Sequence, residues 1–169
     1  IERENVSPAD LLADRSCQTL MLLAESNYEV HFDPESKLSQ RILFPSGPTQ
    51  INGIEDARFV RFVDDDGTPT WYATYTAYDG KVILPQLLET VDFLHFKFAT
   101  LNGPAVRNKG MALFPRRIDG RYAMLSRQDD ENIFLMYSDN VHFWNEPMPL
   151  ISPAYPWEYM KIGTCGSPI

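Results

Sequence analysis

The sequence predicts an all-β fold preceded by one helix, and three observations point there. Beyond residue 27 the apolar residues fall in short runs rich in β-branched and aromatic side chains. Asp66-Gly67, Asp79-Gly80 and Asp119-Gly120 stand between such runs, and Asp-Gly is the strongest hairpin signal that a single sequence offers. The pattern also repeats. FVRFVDDDGTPTWYATYTAYD and FPRRIDGRYAMLSRQD each hold a strand, an Asp-Gly turn, an aromatic strand and a polar exit, with Tyr72 over Tyr122 and Asp79 over Asp129, both 50 residues apart. The following runs place His95 over His142, 47 residues apart. Units of this size with several strands each are the signature of β-propeller blades. An antiparallel sandwich with two similar hairpins is the other architecture the repeat leaves open.

Taken in order, residues 7 to 25 form the one expected helix. Ser7 suits the cap, Pro8 the first turn, and Asp10 the acidic position of a capping box. Leu11, Leu12, Leu20, Met21, Leu22 and Leu23 would give it a buried stripe. The strands expected after it are 28–32, 41–44, 57–63, 70–78, 81–90, 93–99, 111–118, 121–126 and 132–138. The 169 residues read as a single domain, 1–169, with the blades in 27–169. At about 50 residues per blade there is room for some three blades, whereas closed propellers have four to eight. The chain therefore reads as part of a ring, or as one whose neighbouring elements come from another chain.

Composition bounds the function. With 44% hydrophobic and 22% charged residues the chain must fold around a core, which excludes disordered and fibrous classes. A net charge of -8 opposes nucleic acid and anionic membrane alike, so an anionic substrate would need a local cluster of Lys and Arg. Cys17 and Cys165 match no metal-ligand spacing, and neither a metal site nor a disulfide framework is expected. No long apolar run or leader pattern occurs in these residues, and the default expectation is a cytoplasmic setting. Oligomeric state is not encoded in any motif, and a homo-oligomer stays open.

The segment Asn52-Gly53-Ile54-Glu55-Asp56-Ala57-Arg58 sets two carboxylates and a guanidinium where a loop feeds an apolar strand, a place that often carries function. On a regular strand Glu55 and Asp56 point to opposite faces, and Asp56 and Arg58 share one. A carboxyl that donates a proton near neutral pH needs burial, and an Arg partner works the other way. A solvated charged loop with a surface ion pair is the plain alternative.

NGIEDARFVRF, YTAYDG, NKGMALFPRRIDGRYAMLSR and WEYMKIGTCGSPI together resemble glycoside hydrolase family 130, the β-mannoside phosphorylases and related mannosidases, from about Asn27 to the last residue. The resemblance implies a five-bladed β-propeller with the sugar site in its central depression. It implies that Asp56 is the general acid, with Glu55 and Arg58 lining the same motif and Asn52 beside it. Lys109, Arg127 and Lys161 fall at positions that bind inorganic phosphate, the attacking co-substrate. No other cofactor is implied. Lys109 stands where many phosphorylases have Arg, so a monodentate contact would replace a fork. A further phosphate-binding histidine of the family lies beyond the last residue here. Asp79 resembles a sugar contact, although Asp before Gly is equally a turn former. Tyr75 and Tyr78 could stack on a sugar or simply pack in the core. His31, His95 and His142 read as structural, and Arg116 and Arg117 as solvent-facing hairpin charges. Trp157 and Glu158 would shape the Lys161 loop.

Three functions follow for weighing. The first is an inverting phosphorylase that cleaves a β-mannoside-like bond with phosphate and releases a sugar 1-phosphate. The second is an inverting hydrolase on the same scaffold, which needs a second carboxylate across the sugar. The third is a non-catalytic carbohydrate-binding fragment.

Overall fold

The computed structural model describes residues 8–169, with side chains described from Asp14 onward. Helix α1 spans Pro8–Ser26. The Ser7 cap and the side chains of Asp10, Leu11 and Leu12 lie outside the described residues. The strands are β1 (Tyr28–His31), β2 (Ile54–Val63), β3 (Pro69–Tyr78), β4 (Ile83–Thr90), β5 (His95–Thr100), β6 (Ala112–Leu113), β7 (Tyr122–Ser126), β8 (Ile133–Ser138) and β9 (Pro147–Ile151). They form two antiparallel sheets, ordered β1-β5-β4-β3-β2 and β6-β7-β8-β9. The length leaves space for about three blades, and the described residues make two sheets. Residues 32–53 hold only turns and two short 3-10 helices, and no strand follows Ile151.

Two local expectations fail for identifiable reasons. RILF at 41–44 has no strand partner; Arg41 instead turns inward to donate to the carbonyls of Ser36 (2.6 Å) and Phe93 (3.0 Å). Conversely, PMPLI forms β9, although two prolines weaken its strand signal. It lies at the sheet edge, where a missing N–H leaves no ladder bond unmade. The buried stripe expected of α1 is also overturned within the described residues, since Leu20 (67%) and Met21 (56%) are well exposed and Leu22 and Leu23 are exposed as well. Four consecutive apolar residues wrap around a helix instead of lining one face, and α1 meets the sheet only near its end, where Ser26 is fully buried.

The repeat appears as geometry. Tyr72 and Tyr122 sit at equivalent places on the second strands of the two sheets, and Phe62 bridges them at ring distances of 5.7 and 5.2 Å. Around this bridge Leu87, Leu113, Met124, Met136 and Trp144 close one core between the sheets. β3 is buried on both faces: Tyr72 points into that core, whereas Ala73, Tyr75 and Ala77 join a second cluster with Leu88, Phe96 and Phe98. Asp79 and Asp129 form the same turn. Each Oδ1 accepts the N–H groups two and three residues ahead, at 2.7–2.9 Å.

A polar pair also ties the sheets. Arg117 donates through Nε to Asp64 Oδ1 (2.6 Å) and lies 4.1 Å over the Tyr122 ring. The hydrogen bond from Arg117 holds the Asp64 carboxyl below the usual carboxylate range. Arg117 is therefore an inter-sheet clamp and not a free hairpin charge. No described helix is long and apolar enough to cross a membrane.

Candidate active site

The loops that carry the singled-out residues converge at the start of β2. There the ladder to β3 slips by one residue, with Glu55 opposite Thr76 and Arg58 opposite Thr74. This bulge puts Asp56 at φ +56°, a left-handed conformation that Asp tolerates better than most residues. It also breaks the two-residue alternation, yet Asp56 and Arg58 still line one narrow crevice together with Gly110 and Met111. Asp56 is exposed. It stands on the wall of an apolar depression of about 330 Å³ that also includes Leu43, Phe59 and Leu88.

Arg58 turns toward the loop that precedes β6. Its Nη1 donates to Met111 O (3.2 Å) and Thr164 Oγ1 (3.4 Å), and Thr164 in turn donates to Gly110 O (2.9 Å). Gly110 has φ +88°, and a side chain there would meet the guanidinium groups of both Arg58 (3.4 Å) and Arg127 (3.8 Å). The two arginines thus flank one glycine. Burial lowers the pKa of Arg58; the Asp56 charge opposes this and the Arg127 charge adds to it.

Arg127 follows β7 and has only 11% of its side chain exposed. Its Nη1 donates to Ile162 O (3.4 Å) and its main-chain carbonyl accepts from the Asn108 amide (3.1 Å). Lys161 lies on the segment after β9 and reaches Asp130 Oδ1 at 3.0 Å; the same oxygen is 3.5 Å from Arg127 Nε. Arg58, Arg127 and Lys161 are therefore brought together. Lys109 is turned aside: its Nζ pairs with Glu55 at 3.0 Å.

The sugar-side residues divide. Asn52 and Glu55 line an open cleft of about 410 Å³ with Tyr78, Lys81 and Ile83, beside the Asp56 bulge. Asp79 is occupied as the turn former described above. Tyr75 is 5% exposed, with its hydroxyl donating to Gln86 Oε1 (2.6 Å) and accepting from Gln50 Nε2 (2.9 Å). It packs in the core and still contributes to the floor of the Asp56 depression, whereas Tyr78 borders the open cleft. Glu158 caps its own turn by accepting from the N–H groups of Ala154 and Tyr155, while Trp157 stacks on Tyr155 at 4.8 Å.

Sequence reasoning missed Asp130, Asn108, Thr164 and Lys81. Asp130 and Asn108 both have positive φ (68° and 61°), and Asp and Asn are the side chains that such positions favour; a run such as RQDD offers that signal only in hindsight of the turn. Among the described residues, no group of three His, Cys, Asp or Glu side chains is placed to hold a metal ion.

The sequence profile of glycoside hydrolase family 130, described as beta-1,4-mannooligosaccharide phosphorylase, matches residues 16–169. The beta-1,4-mannooligosaccharide phosphorylase of Ruminococcus albus is 32% identical across 92% of this chain and 48% of its own. The 1,2-beta-oligomannan phosphorylase of a Thermoanaerobacter is 29% identical across 79% of this chain and 44% of its own. The chain thus spans about half the length of the curated relatives it matches. Among solved structures, the beta-1,2-mannobiose phosphorylase of Listeria innocua superposes with a TM-score of 0.56 at 24% identity, over 72% of this chain and 33% of that one, which is a likeness of fold. The chain belongs to glycoside hydrolase family 130.

Proposed function

We propose that this chain carries part of the active centre of an inverting glycoside phosphorylase, which cleaves a β-mannoside-like bond with inorganic phosphate and gives a sugar 1-phosphate. The observation that carries the reading is the convergence of Arg58, Arg127 and Lys161 near the Asp56 bulge, in a chain whose overall charge is -8. Three cations gathered around Gly110 and Asp130 are suited to a phosphate dianion, and a guanidinium can offer it a fork. Names of the family's curated relatives support the same class of reaction.

In this mechanism the sugar lies across the depression that Asp56 borders, with its leaving group toward the Asn52, Tyr78 and Lys81 cleft. Asp56 passes its proton to the glycosidic oxygen, directly or through a sugar hydroxyl, as the bond to the anomeric carbon breaks. A phosphate oxygen held by Arg127 and Lys161 forms the new bond from the opposite face. The configuration inverts, no covalent enzyme intermediate forms, and Asp56 recovers its proton from solvent. An inverting hydrolase would need a second carboxylate free to activate water. The two carboxylates nearest the cations, Glu55 and Asp130, are engaged by Lys109 and Lys161, which favours phosphorolysis.

The repeated hairpins and the face-to-face cores support reading the two sheets as successive blades of a five-bladed propeller, with the cations at its centre. A sugar phosphate feeds intracellular metabolism, and we place the reaction in the cytoplasm on that ground. The test is the phosphate dependence of cleavage. Incubation of the intact protein with β-mannosides should release sugar 1-phosphate only when inorganic phosphate is present. Equal release of free sugar without phosphate would move the protein to the hydrolases, and no turnover on any glycoside would favour a binding role.

A further inference from the structure

We infer that Asp130 is a positioning residue for the anion site: its carboxylate orients Arg127 and Lys161 from behind so that their remaining N–H groups face the bound phosphate. The inference rests on the phosphate reading above. It starts from an unusual backbone. Asp130 holds φ +68° in the β7–β8 turn, which Asp129 fixes by accepting three hydrogen bonds, from the main chain of Glu131 and Asn132 and the side chain of Asn132. That turn brings the Asp130 side chain, about half of it still exposed, to Lys161, 31 residues onward.

The donor inventory shows what this does. Lys161 has three N–H donors, and Asp130 engages one at 3.0 Å, which leaves two for an anion. Arg127 has five, of which one on Nη1 goes to Ile162 O. Its Nε is buried and makes no hydrogen bond, yet it lies 3.5 Å from Asp130 Oδ1. Nε is therefore close enough to bond the carboxylate after a small reorientation, and Nη2 makes no hydrogen bond among the described residues. A buried donor left unmet is costly, so an anion that draws the guanidinium into alignment and lets Nε close on Asp130 gains from both contacts. The Lys161 hydrogen bond first, then the Asn108 amide, holds the Asp130 carboxyl below the usual range, so it is charged where phosphate is bound. Asp130 also joins the strandless segment 152–169 to the β7–β8 turn, beside the contacts that Ile162 and Thr164 make with Arg127, Arg58 and Gly110.

Two variants separate charge from turn, since Asn and Gly both accept a positive φ. Phosphate affinity of the intact protein is measured by calorimetry without glycoside, beside kinetics and thermal melting. Asp130→Asn should weaken phosphate binding about three- to tenfold, the range for loss of charge from a hydrogen-bonded pair, and Asp130→Gly should weaken it further. Turnover at saturating phosphate should change by less than about twofold and the KM for glycoside should hold, the pattern of a lost ground-state contact. Phosphate binding that is unchanged or tighter in both variants would overturn the inference, because the carboxylate would then only repel the anion. A matched fall in melting temperature and rise in the glycoside KM would overturn it as well, in favour of a merely structural turn. Phosphate-independent turnover by the wild type, with phosphate binding still sensitive to Asp130, would sink the proposed reaction and leave this inference standing.

Discussion

Replacing Gly163 by Ala probes the anion site with one methyl group. Gly163 does not have a positive φ, so alanine adds no backbone strain there. Its Cβ would lie 2.9 Å from Arg127 Nη1, whereas ordinary contact begins near 3.4 Å. The guanidinium must therefore move by about half an ångström, and with 11% of the side chain exposed it has little open space to take up. A shift of that size lengthens and misaligns one arm of a bidentate fork, and a hydrogen bond to a charged group is worth up to about 1.5–3 kcal/mol. Phosphate binding should weaken about ten- to hundredfold as a result. Gly166→Ala is the control, because a Cβ there meets nothing within 4 Å. The assay is the phosphate dependence of turnover in both variants, with thermal melting alongside. If Gly163→Ala and Gly166→Ala behave alike, Arg127 does not hold the anion in this geometry and the site is wrongly drawn.

Two further perturbations test the scaffold. Tyr75→Phe removes the hydroxyl that joins Gln50 and Gln86 and should cost about 1–3 kcal/mol of stability, seen as a lower melting temperature, while the KM for glycoside stays unchanged; a raised KM would return Tyr75 to the sugar site. Asp64→Asn should destabilise the protein at neutral pH by loosening the Arg117 clamp. The wild-type Asp64 pKa is depressed on folding, so its contribution is present above the unfolded carboxylate value and is lost as pH falls through the folded one. The gap in melting temperature between wild type and variant should close in acid, and a constant gap would refute the ion-pair explanation.

Much of the fold was legible because its signals are local. Strand periodicity and Asp-Gly turns need only neighbouring residues, and the alignment of Tyr72 with Tyr122 and of Asp79 with Asp129 holds in the two sheets. What failed was set by distant partners. RILF has the composition of a strand and no ladder to join, whereas β9 has two prolines and an available edge. The helix stripe could be drawn from spacing, yet whether anything covers it is a tertiary matter.

The site follows the same division. The motifs brought forward Asp56, Arg58, Arg127 and Lys161, and the structure gathers the three cations. Alternation along β2 could not show the bulge at Asp56, because a bulge is a single inserted residue with no clear sequence mark. Lys109 pairs with Glu55 across 54 residues of sequence, and Asp130 meets Lys161 across 31, neither of which any spacing rule could reveal.

The most direct test of the account is product analysis by phosphorus NMR, with the intact wild-type protein and an Asp56→Asn variant acting on a β-mannoside in inorganic phosphate. The wild type should form an α-sugar 1-phosphate, the inverted anomer, and the variant should lose about two to four orders of magnitude in rate, as expected when a general acid is removed. A β-anomer, free sugar formed at the same rate without phosphate, or an Asp56→Asn variant as fast as wild type would contradict the mechanism.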